Sequence, residues 1–196
     1  MAFITSTPPE HADGDVRAMY QRQQDAFGYV PNYARVFCHR PEVMERWAAL
    51  SASIRRHMDR RRFELVTLAA AHALGNRYCA LAHADALGAF HSRDEILALV
   101  GGSEDAPLSA AEMTMTAFAR QVAVDATAVT AEDVDALRRH GFHEAEIFDI
   151  AATAAARAFF TKLLDALGAE PDAAYGAMDP ALVAALTARA SRSRAS

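Results

Sequence analysis

The chain has two cysteines in 196 residues, Cys38 and Cys79, one tryptophan, and no apolar run close to the length of a membrane span. Each shortage excludes something. Two thiols make no disulfide framework in a reducing compartment, so each is either a buried small hydrophobe or a reactive group. The longest apolar runs, such as residues 65–75, fall well short of the roughly 20 residues a spanning helix needs, so no membrane association is expected. The first fifteen residues, MAFITSTPPEHADGD, lack a positive n-region and a sustained apolar stretch; no signal peptide is read and the cytoplasm is the default location. Basic residues are outnumbered too: 20 Lys and Arg face 25 Asp and Glu, a net charge of -5, so nucleic acid is not an expected partner. The eight histidines show no convincing ligand spacing, and neither a metal nor another cofactor is expected.

Period-two alternation is also missing over any useful length, whereas helical signals recur along the whole chain. Residues 1–15, with two consecutive prolines and small polar groups, are read as a flexible lead-in, 16–178 as a single helical domain, and 179–196 as a basic C-terminal tail. Helices are predicted over 16–26, from Asn32, and over 41–58, where Val43, Met44, Trp47, Leu50 and Ile54 form one apolar stripe. RRRFELVTLAAAHALG forms the next, ended by Gly75, and Asn76 caps a restart that lasts to Gly88. Ser109 with Glu112, and Thr130, open two later helices, and the last long one covers 143–167. The fold class is all-α, a bundle of roughly eight helices. An ungapped shift of 82 residues lays Glu64, Leu68, Ala69, Ala70 and Tyr78 on Glu146, Ile150, Ala151, Ala152 and Phe160, which suggests an internal repeat.

The stretch GNRYCALAHADAL carries the chemistry. Cys79 falls in the first turn of its helix, where unpaired N–H groups and the helix dipole favour a thiolate. His83, four residues on, shares that face and is placed to act as its base. Glu64, fifteen residues before Cys79 in the preceding helix, reaches the same cleft if the two helices fold back around Gly75, as proton acceptor or histidine orienter. The bland alternatives stay open on spacing alone: a core cysteine, and a glutamate exposed to answer the preceding arginines.

ELVTLAAAHALGNRYCALAHADAL resembles the signature helices of the AhpD-like alkylhydroperoxidase and carboxymuconolactone decarboxylase superfamily. In its peroxidase members a glutamate is followed twelve, fifteen and nineteen residues later by Cys, Cys and His; those positions here are Glu64, Asn76, Cys79 and His83, with Tyr78 also typical. The segment around residues 28–47 and the C-terminal half are similar to the peroxidase-related branch. The resemblance implies an all-helical homo-oligomer with an internal repeat and a site near subunit contacts, catalytic roles for Cys79, His83 and Glu64, and Asn76 and Tyr78 as substrate-side neighbours. Its departure is Asn76, which caps the helix where the first cysteine would resolve the second. A single-cysteine peroxidase using an external thiol is therefore the first expectation, with Cys38 the other thiol available. An acid/base enzyme acting on a small organic acid through Glu64 and His83, and a non-catalytic helical binding protein, are the alternatives.

Overall fold

The computed structural model describes residues 2–103 and 106–188, and every regular element among them is helical. Ten α-helices follow in order: α1 (Gly14–Phe27), α2 (Asn32–Val36), α3 (Pro41–Arg55), α4 (Arg60–Ala73), α5 (Arg77–Leu87), α6 (Arg93–Gly101), α7 (Ala110–Asp125), α8 (Ala131–Arg139), α9 (Glu144–Ala166) and α10 (Pro180–Thr187). Ser92, Ser109 and Thr130 close capping boxes with Glu95, Glu112 and Asp133, which is why α6, α7 and α8 start where they do.

Helix α4 is the axis of the fold. Its residues 63–71 are all buried, because α5, α7 and α9 surround it. A helix enclosed on every side must be apolar all round, and Glu64 and Thr67 are the exceptions on this stretch. Thr67 satisfies its hydroxyl locally on the Phe63 and Glu64 carbonyls. Glu64 finds its partner across the α4–α5 gap, and that pairing fixes the candidate site.

Several expectations change. The segment read as a flexible lead-in makes defined contacts: Phe3 N–H donates to Leu167 O at 2.8 Å, Tyr20 Oη donates to Thr7 O at 2.9 Å, and Ala12 is buried. The tail expected from residue 179 begins with α10, capped by Asp179, and Leu182 and Leu186 are buried where it packs on α5 and α6. Of that tail, residues 189–196 lie outside the described part. Helix α3 ends at Arg55, and its five-residue stripe is split: Met44 and Trp47 are buried while Leu50 is 50% exposed. Among the described residues no helix is long and apolar enough to cross a membrane.

The internal echo does not repeat the helical pair. Residues 60–87 form α4 and α5, but the shifted span runs through one continuous helix, α9. Gly75 adopts φ 73°, the left-handed conformation that turns the chain, and the residue opposite it in α9 is Arg157, which continues a right-handed helix.

Candidate active site

The site is assembled by a helix stop and a helix start on adjacent residues. At the end of α4, Gly75 N–H bonds His72 O at 2.9 Å and Asn76 N–H bonds Ala71 O at 3.1 Å, a doubly closed C-terminus. Asn76 at once caps α5: its Oδ1 accepts the Cys79 N–H at 2.7 Å, and its Nδ2 donates to Thr161 O at 3.2 Å and to Asp165 Oδ1 at 2.7 Å. Only 1% of Asn76 is exposed. The asparagine therefore locks the α4–α5 turn onto α9, a job with more bonds than a cysteine at this position can make.

The fold-back expected of α4 and α5 occurs. His83 Nδ1 lies 2.6 Å from Glu64 Oε2, with both side chains largely buried and the Phe63 ring edge-on to the imidazole at 6.4 Å. An imidazole whose Nδ1–H faces a carboxylate presents Nε2 as its free acceptor. Burial pushes the His83 pKa down, the nearby Arg157 charge pushes the same way, and Glu64 opposes both. Both effects favour the neutral ring, with Nδ1 facing Glu64.

Cys79 is 3% exposed and free of any disulfide. Burial raises its pKa, against which the Arg157 guanidinium pulls down, and Asp165 adds to the upward push. The early-helix position does not outweigh that burial, so the resting group is a protonated thiol.

Arg157 is the residue that sequence reasoning missed. It projects from α9, is 7% exposed, and its Nη1 donates to Cys79 Sγ at 3.7 Å, 78 residues away in sequence. Its guanidinium lies 5.7 Å from the Trp47 ring centroid and 5.4 Å from that of Phe160. A signal was present: Ile150, Ala154, Arg157, Thr161 and Leu164 are spaced as one buried helical face, and Arg157 is the charge on it. Arg157 also lines a small surface cleft, with room for about one water, shared with Trp47, Ile54, Phe63, Thr67 and Thr153. One side chain thus connects that cleft to the sulfur.

The other candidates lie differently. Tyr78, expected beside the substrate, commits its hydroxyl to Asp172 and accepts the Tyr33 N–H at 3.2 Å, with its ring between Tyr33 and Tyr175. Cys38 is buried in the turn after α2, where its Sγ accepts the Thr7 N–H at 3.3 Å. A larger groove, about 570 Å³, opens among α5, α10 and the segment between α9 and α10; Glu64, Cys79, His83 and Arg157 take no part in its walls. Among the described residues no group of three His, Cys, Asp or Glu side chains is placed to hold a metal ion.

The family model for the carboxymuconolactone decarboxylase family matches residues 41–121, a span that contains Glu64, Asn76, Cys79 and His83. The structure superimposes on an alkylhydroperoxidase AhpD core, a peroxidase-related protein from Ralstonia eutropha JMP134, with a TM-score of 0.78 at 22% identity, over 89% of this chain and 94% of that one. The chain has the AhpD fold, and part of it, residues 41–121, is similar to the carboxymuconolactone decarboxylase family. This AhpD-like chain is also similar to a peroxidase-related protein from Silicibacter sp. TM1040, with a TM-score of 0.75 at 21% identity over 89% of this chain and 95% of the other. A variant of the debrominase Bmp8 in complex with 2,3,4-tribromopyrrole matches with a TM-score of 0.73 at 20% identity, over 89% and 94% of the two chains. No curated protein matches the AhpD-like chain in sequence.

Proposed function

We propose that this protein is a single-cysteine, AhpD-like peroxidase-related enzyme that reduces hydroperoxides through Cys79. The observation that carries the reading is the Glu64–His83 contact, one helical turn from a cysteine that already accepts a hydrogen bond from a cation. Neutral His83 takes the thiol proton, directly or through a water, and Glu64 steadies the imidazolium that forms. The thiolate attacks the terminal peroxide oxygen; an S–O bond forms as the O–O bond breaks, and the departing alkoxide takes the proton from His83. Cys79 leaves as a sulfenic acid, the hydroperoxide as an alcohol.

Because Asn76 stands at the resolving position, the next electrons come from an external thiol. It condenses with the sulfenic acid, releasing water and leaving a mixed disulfide, which a second thiol opens to restore Cys79. A small-molecule thiol of the reducing cytoplasm is the partner this cycle calls for. Debromination, the activity named for one of the structural relatives, is consistent with a thiol-bearing site on this fold but carries no residue-level argument for this chain.

One observation favours a second reading: burial raises the Cys79 thiol while Glu64 and His83 remain a complete acid/base pair. Such a pair can run a decarboxylation or isomerisation of a small organic acid with the cysteine as lining. The two readings separate by mutation. Under the peroxidase reading a stoichiometric hydroperoxide converts Cys79 to a sulfenic acid trapped by a dimedone-type reagent, and Cys79→Ser abolishes peroxide consumption while Glu64→Gln slows it by about 10²-fold, a usual loss when acid–base assistance is removed. A Cys79 that stays unmodified in excess peroxide removes this reading and leaves the acid/base one.

A further inference from the structure

A buried cation needs an anion, and among the described residues no carboxylate forms an ion pair with Arg157. Its Nε is fully buried without a hydrogen-bond partner among the described residues, and its Nη1 donates to the Cys79 sulfur. Its other close neighbours are two aromatic faces, Trp47 and Phe160, which hold a guanidinium in place but do not cancel its charge. Charge left unpaired at this depth is costly, and opposite charge is what lowers the cost.

We propose that Arg157 is a catalytic residue, the counter-ion of the Cys79 thiolate. The inference rests on reading Cys79 as the nucleophile and adds the group that makes the anion accessible. Three observations converge on it: the donor is already aimed at Sγ, a second donor on the same guanidinium is unspent, and the same side chain also lines a small surface cleft beside Trp47 and Phe63. Deprotonation of Cys79 then creates an ion pair where a lone charge stood. When the sulfur attacks a hydroperoxide, negative charge moves from sulfur to the departing oxygen, and a fixed guanidinium beside both positions stabilises it throughout without rearranging.

The groups facing the pair are few. Asp165, on the same helix, opposes the thiolate; His83 on α5, paired with Glu64 on α4, is the proton acceptor; Arg55, from α3, acts on His83; and Tyr175 senses the Cys79 charge. Arg157 is the cation among them that touches the sulfur.

The test is site-resolved alkylation of the full chain, followed by mass spectrometry of the Cys79 peptide so that Cys38 does not contribute. Neutral iodoacetamide and anionic iodoacetate are compared from pH 6 to 10; in each, a sulfur–carbon bond forms and iodide leaves. Arg157→Met should fold, since an apolar side chain of similar length removes a buried charge rather than creating one. Its iodoacetamide rate at pH 7 is expected to fall about tenfold or more, the profile to move to higher pH, and the iodoacetate to iodoacetamide ratio to drop; Arg157→Lys should recover part of each. Profiles and ratios that superimpose on the wild type overturn the proposal, as does a wild-type Cys79 inert to both reagents. Should Arg157→Met not fold, the wild-type ratio is compared with that of the same chain in denaturant: a higher native ratio supports the ion pair, and an equal or lower one overturns it. Arg157-dependent alkylation without peroxide oxidation removes the peroxidase reading and keeps the assignment of Arg157.

Discussion

Asn76 makes three hydrogen bonds in two roles, and one substitution removes them together. Its carbonyl oxygen holds the first turn of α5, and its amide ties that turn to Thr161 and Asp165 on α9. Asn76→Ala removes the cap and the amide bonds to α9 and leaves the buried Cys79 N–H without its acceptor, a loss of about 2–3 kcal/mol. Urea unfolding should read that loss as a lower midpoint with an unchanged slope; a loss under 0.5 kcal/mol, the size expected of an ordinary surface site, would show that the turn is held by Gly75 alone. The residues legible in the sequence were those linked by helical arithmetic. Cys79 and His83 are linked by spacing, and Glu64 reaches His83 once Gly75 turns the chain. Arg157 was not legible as a partner, because no local rule links α9 to α5. What the sequence did carry was an arginine in register with a buried stripe, a pattern that marks a paired charge without saying with what.

At the level of elements, caps and turns carried most of the information. Gly75 followed by Asn76, and Ser109 followed by Glu112, are local devices whose geometry needs no tertiary knowledge, and the elements they bound fall where expected. Stripes were less reliable, since periodicity says that a face is apolar but not what covers it. Helix α3 packs on α1 and α9 and leaves Leu50 half exposed; α9 leaves Phe148 at 69% and Phe159 at 49%, with Ala155 exposed between them. Phe159 touches Trp47, so this apolar face is continuous with the Arg157 cleft. A second copy of the chain is the occupant we propose, in keeping with the homo-oligomer the family resemblance implies. Light scattering should give a mass that is a multiple of 21.2 kDa, and Phe159→Glu should move it towards the single-chain value. A wild type that stays at one chain across the micromolar range would assign the face to another role.

The whole molecule hides titratable groups in its interior, and that gives its stability a shape in pH. His72, His83 and His91 all have pKa values pushed below the ordinary imidazole value of 6.5, with burial the largest cause in each. As pH falls through 6.5 the unfolded chain takes up protons that the folded chain refuses, so stability present above that value is lost on acidification. Glu146, held low by the His143 N–H and Arg62, and Asp179, held low by the Leu182 N–H and Arg93, add a second acid loss below the ordinary carboxylate range. On the alkaline side the signs reverse. Burial raises Cys79 and raises Tyr33, Tyr78 and Tyr175, so the unfolded chain ionises first and stability is lost as pH climbs past their ordinary values of 9.0 and 10.0. The expected curve is a plateau from about pH 6.5 to 9 with a fall on each side. Urea midpoints measured at half-unit steps test it, and His72→Gln identifies the first acid step by flattening the fall between pH 6.5 and 5. Because His72 lies outside the Glu64–His83–Cys79 group, that flattening should leave peroxide consumption unchanged at pH 7; an acid limb identical to the wild type would show that His72 titrates alike in the folded and unfolded chains.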